Sequence, residues 1–316
     1  MELSIISVNW NSVGYLQECI ASVYEQTRGV SFEIIVVDNA SPKKGVDVLT
    51  EQFPDVRIVH SEQNLGFAGA NNMGFRESTG RYVLFLNPDT KLISPAITLM
   101  LEQLKSLPDG GIVGCKLLNT DLSVQITSIQ KFPTIVNQLL DLEYLQLNWP
   151  GCPLWNIRPL FADAASPLGV EVISGACMLL KREVFEQVGM FTEDYFMYAE
   201  DIDLNYKVKK AGFTNYYVST ATIVHHGGGS SRQEANQWAT VMKYRAMGKL
   251  FRKTKGYLYG VTYRATIACA AFGRLLILAL AYPVANVMWN RQSLQLAARK
   301  WRAILKWALG WQTLAL

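Results

Sequence analysis

The segment YVLFLNPDT, residues 82–90, decides the fold because an apolar run leads directly into a polar turn. Its first five residues, Tyr82 to Leu86, are apolar or aromatic and predict a buried strand. Pro88 has no amide hydrogen for a sheet ladder, so the strand is expected to end before it. Asp89 then follows the carboxyl end of a central strand, where open α/β sheets bind their ligands.

The same pattern repeats along the first two thirds of the chain, where short apolar runs alternate with segments of helical spacing. Such alternation predicts an α/β fold with a parallel sheet covered by helices on both faces. Residues 119–170 are rich in Pro, Trp and Asn and are expected to form an irregular insertion. The predicted strands are 3–8, 33–38, 56–60, 82–86, 111–118 and 214–219. The predicted helices are 12–27 (with Ser12 as N-cap), 44–53, 68–78, 95–107 and 200–212. Residues 171–189 are predicted to form a strand that leads into a helix.

The composition is that of a folded protein. The chain has 316 residues, of which 50% are hydrophobic and 18% are charged, enough for one large domain or two ordinary ones. Its five cysteines include no CxxC pair, so neither a zinc site nor a disulfide framework is expected, and a reducing cytosol is the simple interpretation. The N-terminal residues enter a strand pattern without the basic segment of a secretory signal.

The net charge of +4 conceals an uneven distribution. No Asp or Glu follows Glu234, and that last part of the chain carries 13 Lys and Arg residues. The preceding part carries 17 basic and 26 acidic residues, a net charge of −9. This asymmetry predicts a polyanionic partner, either nucleic acid or an anionic membrane surface.

The cationic tail also contains long apolar stretches. Residues 235–255 predict a basic helix, 265–289 form an apolar stretch interrupted by Arg274 and Pro283, and 294–311 predict a basic amphipathic helix. Apolar runs of this kind fit a membrane better than a nucleic acid. Because an arginine is costly at a bilayer centre, helices lying in the membrane interface are favoured over a span. Packing of the apolar stretch against the rest of the protein or a second subunit is the remaining alternative.

Three segments in the first half hold candidate ligand-binding residues. Asp38 ends the second strand in VVDNAS and can accept hydrogen bonds from a ribose or a base, although Asp-Asn-Ala-Ser is also ordinary turn chemistry. NLGFAGANN, residues 64–72, suits either a phosphate or a packed loop–helix junction, and it lacks the GxGxxG spacing of a dinucleotide site. Asp89 could hold Mg²⁺ or Mn²⁺ if a substrate diphosphate supplied further ligands, or it could cap a turn.

Two later segments combine acidic, aromatic and histidine side chains. In FMYAEDIDL, Glu200 and Asp201 follow an aromatic run at the start of a helix. The helix dipole favours acids there, while the aromatic residues also suit a general base in a sugar-sized pocket. In IVHHGGGSS, His225 and His226 end a strand before three glycines, and each is a candidate metal ligand or a structural residue.

Seven motifs, in chain order, carry a family resemblance: SVNWN, VVDNAS, NLGFAGANN, FLNPDT, VISGACMLLKR, FMYAEDIDL and VHHGGGSS. Over roughly residues 1–232 the chain resembles the family-2 inverting glycosyltransferases, particularly their bacterial rhamnosyltransferase-like branch. The resemblance implies a GT-A fold, a Rossmann-like and mostly parallel sheet flanked by helices, followed here by a basic amphipathic helical extension. It implies a catalytic domain over 1–234, with a nucleotide-sugar part at about 1–118 and an acceptor part at about 119–234, and a membrane-associating tail over 235–316.

The resemblance also implies a role for each matching residue. Asp201 would be the catalytic base, with Glu200 as the next candidate. Asp89 and His225 would hold Mg²⁺ or Mn²⁺, with His226 as the alternative histidine. Asn87-Pro88-Asp89 stands where the family has Asp-x-Asp, which leaves a single acid. The implied donor-binding residues are Asn9, Asp38, Asn64, Gly66, Asn71, Asn87 and Asp89, and the implied acceptor-binding residues are Gly175, Ala176 and Tyr198.

The implied reaction moves a sugar, with rhamnose as a candidate, from a nucleotide-diphosphate-sugar to a hydroxyl of a saccharide or lipid-linked saccharide in bacterial surface polysaccharide or cell-wall synthesis. The implied location is cytoplasmic and peripheral on the inner face of the cell membrane, with an anionic membrane surface as partner and no nucleic acid. Two other interpretations remain. A nucleotide-dependent oxidoreductase would use the alternating sheet but lacks the glycine fingerprint, and a nucleic-acid-binding protein would use the cationic tail.

Overall fold

The computed structural model describes residues 1–43, 45–140, 143–227, 237–282 and 291–311. Internal contacts divide the chain into two compact units. Unit 1 comprises Met1–Pro133, Asp141–Phe196 and Glu200–Gln233, and unit 2 comprises Thr134–Leu140, Met197–Ala199 and Glu234–Leu316. The expected domain boundary at residue 234 stays a prediction.

A mixed sheet forms the centre of unit 1, and nine strands of the described chain belong to it. The strands are β1 (Leu3–Asn9), β2 (Phe32–Asp38), β3 (Val56–His60), β4 (Tyr82–Leu86), β5 (Thr90–Leu92), β6 (Gly110–Leu118), β7 (Ile129–Gln130), β8 (Leu168–Val170), β9 (Val172–Ile173), β10 (Cys177–Lys181) and β11 (Thr214–His225). Their order is β3-β2-β1-β4-β10-β6-β11-β5, with β8 also paired to β11, while β7 and β9 form a separate two-stranded sheet.

The sheet consists of a parallel part and antiparallel additions. Strands β1 to β4 are parallel where they pair, as are β6 and β11. Strand β10 runs antiparallel between β4 and β6, and β5 and β8 run antiparallel to β11. The predicted α/β fold with a mostly parallel sheet and flanking helices is therefore confirmed, and the antiparallel strands are added to it.

Helices cover both faces of this sheet, and β4 shows why. Tyr82, Leu84 and Leu86 belong to a buried cluster shared with the helices α1 (Val13–Gln26) and α4 (Ala96–Ser106). Val83 and Phe85 belong to a second cluster shared with the helices α3 (Gly66–Arg76), α7 (Arg182–Gln187) and α8 (Glu200–Lys210). Successive strand residues point to opposite faces, so an apolar run can be buried only between two layers. The helices of unit 1 are α1 (Val13–Gln26), α2 (Val48–Gln52), α3 (Gly66–Arg76), α4 (Ala96–Ser106), α6 (Glu143–Asn148), α7 (Arg182–Gln187) and α8 (Glu200–Lys210). The helices of unit 2 are α5 (Ile135–Leu139), α9 (Gln237–Lys255), α10 (Tyr257–Ala281) and α11 (Arg291–Leu309).

Several local predictions were wrong. Strand β11 continues to His225 instead of ending at 219, because its last residues pair with β5, a three-residue strand that the sequence pattern did not indicate. The interval 119–170 is not irregular throughout, since it contains α5, α6 and short strands. The prediction of Ser12 as the N-cap residue of α1 is confirmed, although its side chain makes no capping bond and its hydroxyl donates to Asn9 Oδ1.

Unit 2 is built around three mutually packed helices, α9, α10 and α11. A buried stripe of Gly260, Tyr263, Ile267 and Ala271 runs along α10 at helical spacing and forms its packed side. Tyr263 packs edge-on against Phe251 of α9, with ring centroids 4.8 Å apart. The amphipathic helix predicted over 294–311 is present as α11, and the basic helix predicted over 235–255 is present as α9.

The two arginines of α10 turn toward α11. The guanidinium of Arg264 donates to the carbonyl oxygens of Trp307 and Ala308, at 2.9 and 2.8 Å, and so satisfies acceptors in the last turn of α11. The guanidinium of Arg274 lies 4.1 Å from the ring centroid of Trp301. Neither charge therefore interrupts the opposite, exposed side of α10.

That exposed side is apolar. Helix α10 is long and apolar enough to cross a membrane, with a mean hydropathy of 1.7 over its most apolar window and only 11% of that window buried. Leu258, Phe272, Leu276 and Leu280 are all more than half exposed. Of the predicted apolar stretch 265–289, the end that contains Pro283 lies outside the described residues.

Candidate active site

The candidate site lies at one edge of the unit 1 sheet, and strand register explains how its residues meet there. Asn9 and Asp38 are paired residues at the carboxyl ends of β1 and β2. Asn87 directly follows β4, and Thr90 of β5 pairs with His225 at the end of β11. Carboxyl ends of parallel strands share one edge of a sheet, so side chains that are far apart in sequence converge.

Asp38 is held in place by hydrogen bonds from two neighbours. Asn9 Nδ2 donates to Asp38 Oδ1 at 2.8 Å, and the Ser41 hydroxyl donates to the same oxygen at 2.6 Å. Asn9 is completely buried, and its Oδ1 accepts from the backbone and hydroxyl of Ser12. His60 Nδ1 lies 3.8 Å from the other carboxylate oxygen of Asp38. Asn9 thus positions a carboxylate, and Asp38 presents it at the sheet edge.

The Asn64–Gly66 turn is attached to the same edge through Asn39. Asn39 Nδ2 donates to Asn64 Oδ1 at 3.0 Å, and Asn39 Oδ1 accepts from the amide of Leu65 at 2.8 Å. Gly66 has φ +70°, and a Cβ at this position would collide with the backbone of Phe196. Glycine is required there both by the dihedral angle and by the close approach.

Asn71 lies within α3, the helix that begins at this turn. It is 2% exposed, and its side-chain amide donates to the carbonyl oxygen of Phe67 within α3 at 2.9 Å. Its contacts are those of a buried helix residue, so a donor-binding role for Asn71 stays a prediction without geometric support.

Asp89 and His225 form a second polar pair at this edge. His225 Nε2 lies 3.3 Å from Asp89 Oδ1 and 3.3 Å from Asn87 Nδ2. The side chains of Asp89 and His225 are only 8% and 14% exposed. The His226 ring instead packs against Tyr15, with centroids 5.3 Å apart, and its Nδ1 lies 3.3 Å from Thr120 Oγ1. The structure therefore brings the ring of His225, and not that of His226, to the Asp89 carboxylate, whereas His226 donates only its backbone amide to the Asp89 carbonyl oxygen at 2.9 Å.

A side-chain amide contacts the Nδ1 edge of the His225 ring, on the side away from Asp89. His225 Nδ1 lies 2.8 Å from Gln125 Oε1, and Gln125 Nε2 donates to the backbone oxygen of the same histidine at 2.9 Å. Gln125 also donates to Asn119 Oδ1 at 3.0 Å. This residue binds one histidine at two points.

The pair of Asp89 and His225 fits a divalent ion of the Mg²⁺ or Mn²⁺ type. A carboxylate oxygen and an imidazole nitrogen face each other at 3.3 Å, and both are ligands such ions accept. No cluster of three or more His, Cys, Asp or Glu side chains suited to a metal occurs among the described residues. A metal at this pair would therefore take its remaining ligands from a substrate or from water.

The Gly175–Ala176 turn connects this pair to the candidate base. The amide of Gly175 donates to Asp201 Oδ2 at 3.1 Å, and the carbonyl oxygen of Ala176 accepts from the amide of Asn87 at 2.9 Å. A Cβ on Gly175 would lie 3.2 Å from the Asp201 Cβ, so a larger residue would press on the carboxylate. These two residues lie between Asp201 and the end of β4.

The acids at the start of α8 differ in their surroundings. Asp201 is half-buried, and its Oδ1 also accepts from the amide of Ile202 at 2.8 Å. Glu200 is 6% exposed, and its Oε2 is buried without a hydrogen-bond partner among the described residues. Burial, followed by the nearby charge of Asp201, raises the pKa of Glu200 to about 8. Asp203 is structural, because it accepts from Thr192 Oγ1 at 2.6 Å and from the Tyr195 hydroxyl at 3.3 Å.

Tyr198 belongs to unit 2, whereas the other candidate residues belong to unit 1. Its backbone is left-handed, with φ +72°, and Ala199 follows at φ +66°. Two consecutive non-glycine residues in this region are energetically unfavourable and often accompany functional loops. An acceptor-binding role for Tyr198 stays a prediction.

Sequence reasoning missed three polar residues that organise the site, Asn39, Ser41 and Gln125. Asn39 and Ser41 lie in the quoted VVDNAS motif, and their amide and hydroxyl groups were an available signal. Gln125 lies in the interval expected to be irregular, and it contacts a histidine 100 residues away in the sequence. No local pattern indicates such a contact.

The chain matches the family model described as Glycosyl transferase family 2 over residues 4–189, more than half of its length. The N-acetylglucosaminyl-diphospho-decaprenol L-rhamnosyltransferase of Mycobacterium tuberculosis is 29% identical over 239 residues, which are 71% of this chain and 76% of that protein. The O-antigen biosynthesis protein RfbC of Myxococcus xanthus is 27% identical over 243 residues, 73% of this chain but 18% of that protein. The rhamnosyltransferase WbbL of Escherichia coli is 25% identical over 194 residues, 58% of this chain and 70% of that protein.

Solved structures resemble the fold at low sequence identity. The mannosyltransferase PcManGT of Pyrobaculum calidifontis, in complex with GDP-Man and Mn²⁺, has a TM-score of 0.59 and 16% identity, covering 98% of this chain and 86% of that one. GalNAc-T7 with UDP, GalNAc and Mn²⁺ has a TM-score of 0.56 and 14% identity, covering 71% of this chain and 44% of that one. These likenesses confirm the predicted GT-A type of fold.

Proposed function

The chain belongs to glycosyl transferase family 2, and we propose that it is an inverting, metal-dependent member that moves a sugar from a nucleotide-diphosphate-sugar to an acceptor hydroxyl. Membership of the family confirms the predicted glycosyltransferase activity. The oxidoreductase and nucleic-acid-binding interpretations receive no support from the matched relatives.

The observation that carries the proposal is the Gly175–Ala176 turn. It is hydrogen-bonded on one side to Asp201 and on the other to Asn87, which precedes Asp89 by two residues. Inverting transfer needs a base on the acceptor side and charge stabilisation at the leaving diphosphate. The turn connects a residue suited to the first task with the segment suited to the second.

The donor would lie along the edge formed by β1, β2 and β4. Asp38 would accept hydrogen bonds from the nucleoside, in an orientation fixed by Asn9 and Ser41. The Asn64–Gly66 turn would line the same pocket at the N-terminus of α3, in a shape fixed by the amide of Gly66, which donates to Asn64 Oδ1 at 2.9 Å. Asp89 and His225 would hold Mg²⁺ or Mn²⁺, which would neutralise charge on the diphosphate as it leaves.

Asp201 is the proposed base. Its carboxylate would take the proton of the acceptor hydroxyl while that oxygen attacks the anomeric carbon from the face opposite the diphosphate. Amides of Gly175 and Ile202 donate to its two oxygens and stabilise the ionised form that a base requires. Glu200 is the weaker candidate, since its burial favours the neutral acid at physiological pH.

The relatives suggest the substrates. The names of the M. tuberculosis and E. coli relatives specify rhamnosyl transfer, and the former names a diphospho-decaprenol acceptor. We therefore propose rhamnose as the first sugar to test and a saccharide or lipid-linked saccharide as the acceptor, in bacterial surface polysaccharide or cell-wall synthesis.

Unit 2 would attach the enzyme to the inner face of the cell membrane. The exposed side of α10 is apolar, and no acidic residue follows Glu234 in the sequence. The hydroxyls of Thr262 and Thr266 donate to backbone oxygens one turn back, so they present no unsatisfied polar group. Cationic helices with an apolar side are typical of attachment to anionic lipid.

The test combines donor binding with product analysis. A panel of nucleotide-diphosphate-sugars is screened for protection of the full chain against thermal unfolding, and the best donor is incubated with lipid-linked saccharides and Mn²⁺. The anomeric configuration of the product, read by NMR coupling constants, is expected to be opposite to that of the donor. Retention of configuration would exclude the inverting mechanism, and protection by no nucleotide-sugar would oppose the donor assignment.

A further inference from the structure

We propose that Gln125 is a positioning residue that keeps a hydrogen on Nδ1 of His225 and so directs Nε2 of that ring at the metal position beside Asp89. This inference rests on the proposed metal site and adds to it a residue outside the motifs that the chain shares with its family. The hydrogen bonds that orient the Gln125 amide determine which nitrogen of the His225 ring carries the hydrogen.

The series of hydrogen bonds begins at the Asp121 carboxylate, which can only accept hydrogen bonds. Asp121 Oδ1 lies 2.6 Å from the Ser123 hydroxyl, so the serine donates to it. With its hydrogen committed, Ser123 Oγ accepts from Asn119 Nδ2 at 2.9 Å. The amide of Asn119 is thereby oriented, and its Oδ1 accepts from Gln125 Nε2 at 3.0 Å.

The last steps of the chain reach the histidine. Gln125 Nε2 has a second acceptor in the backbone oxygen of His225, at 2.9 Å, so reversing the amide would oppose oxygen to oxygen at two places. Gln125 Oε1 therefore faces His225 Nδ1 at 2.8 Å, and Nδ1 must carry the hydrogen. In the neutral ring, Nε2 is then an acceptor.

The opposite side of the ring agrees with this assignment. Asn87 Nδ2 lies 3.3 Å from Nε2 and can donate to it only if Nε2 has no hydrogen. Asp89 Oδ1 lies 3.3 Å from the same nitrogen, which places two electron-rich atoms side by side. A cation is the partner that suits both atoms, and a histidine ligand whose other nitrogen donates to a carbonyl is the usual arrangement at metal sites.

The chain offers a matched control. The neighbouring His226 has its own polar partner, Thr120, whose Oγ1 lies 3.3 Å from His226 Nδ1. That ring packs against Tyr15 and not against Asp89. Thr120→Val removes a histidine partner of similar kind from the same loop, and we expect it to leave the metal position unchanged.

The experiment reads the tautomer directly. The sequence contains three histidines, so ¹⁵N-histidine-labelled full chain gives a small set of long-range ¹H–¹⁵N signals, assigned with His60→Gln and His226→Gln. We expect His225 to show the Nδ1–H pattern in the wild type and in Thr120→Val, and a shift toward Nε2–H in Gln125→Met.

Metal affinity gives the second readout. Mn²⁺ binding is followed by electron paramagnetic resonance with inorganic pyrophosphate present, and Gln125→Met is expected to weaken it by about 10–100-fold, as is usual for loss of such a partner. An unchanged tautomer in Gln125→Met, or an equal loss of affinity in Thr120→Val, would overturn the role of Gln125. If Gln125→Met fails to fold, an Nε2–H pattern for His225 in the wild type overturns it instead. Absence of Mn²⁺ binding in the wild type would remove the metal site itself, while the tautomer result would still stand.

Discussion

The neighbouring carboxylates of Glu200 and Asp201 have opposite environments. Glu200 Oε2 is buried without a hydrogen-bond partner among the described residues, whereas Asp201 accepts from the amides of Gly175 and Ile202. Burial of an unsatisfied carboxyl favours its neutral form, and amide donors favour the ionised form. The pair can therefore carry a single negative charge, located on Asp201, where a base is needed, while Glu200 stays neutral.

We expect Asp201→Asn to abolish transfer and Glu200→Gln to retain most of it. The amide of Asp201→Asn cannot accept the proton of the acceptor hydroxyl. The amide of Glu200→Gln, by contrast, resembles the neutral carboxylic acid expected at that position. Removing a general base costs about 10²–10⁴-fold in rate. The measurement is the initial rate of sugar transfer, with donor affinity measured separately by calorimetry.

Donor affinity is the control for that pair of variants. It should survive in Asp201→Asn, because the base contacts the acceptor and not the nucleotide. An equal loss of donor binding and transfer would contradict the assignment, and substantial transfer by Asp201→Asn would move the base to Glu200.

The pH dependence of stability should also distinguish Glu200. Its folded pKa, about 8, lies above the ordinary value of 4.5, so between these values the native state keeps a proton that the unfolded state releases. The native state then binds more protons, and the free energy of unfolding falls as pH rises through this window, by up to about 1.4 kcal/mol per pH unit. Urea unfolding at pH 5 to 8 should show Glu200→Gln gaining stability relative to wild type as pH rises. Parallel curves for the two proteins would contradict the raised pKa.

Asp89→Ala should weaken nucleotide-diphosphate binding only when a divalent ion is present. Asp89 would contact phosphate through the ion, so in EDTA the variant and the wild type should bind the nucleotide equally weakly. Asp38→Asn is the matched control, because Asp38 would contact the nucleoside directly and its loss should weaken binding with or without metal. Calorimetry with Mn²⁺ and with EDTA measures both effects. Full transfer activity in excess EDTA would rule out the metal role of Asp89 and His225.

Gly66→Ala tests the turn beneath the proposed donor pocket. The new Cβ would meet the backbone of Phe196, and a left-handed backbone is unfavourable for alanine, so we expect a loss of about 1–3 kcal/mol in the free energy of unfolding. Gly14→Ala, in α1 where a Cβ would have open space, should be neutral or stabilising. Unfolding midpoints in urea compare the two variants. Equal stability of the two would show that the approach of Phe196 to Gly66 adapts without cost.

The parallel half of the fold and its carboxylates could be predicted because its strands β1, β2 and β4 are largely buried on both faces. An apolar run such as Tyr82–Leu86 can be recognised in the amino-acid sequence, and so can the polar residue that follows it. Asp38 and Asp89 therefore reach the expected sheet edge without any knowledge of partner strands.

The antiparallel half could not be predicted in the same way, because its order depends on contacts between distant residues. Strand β5 has three residues, too few for a period, and it exists because Thr90 pairs with His225. The choice between His225 and His226 follows from that register and not from either residue's neighbours in sequence. Gln125 is the extreme case, since its function depends wholly on a contact made by folding.

The last prediction concerns the apolar side of α10. Full-length protein should sediment with vesicles that contain anionic lipid, because cations near the surface contribute roughly 1 kcal/mol each. High salt with carbonate should release it, because we propose that the helix lies along the interface and does not cross the bilayer. Leu276→Glu, at a residue 53% exposed, should reduce vesicle binding about tenfold or more by placing a charge on the apolar side. Ile93→Glu, at a residue 45% exposed in unit 1, is the control and should bind like wild type. Release only by detergent would indicate a span, and full-length protein that stays in solution with vesicles present would contradict membrane attachment.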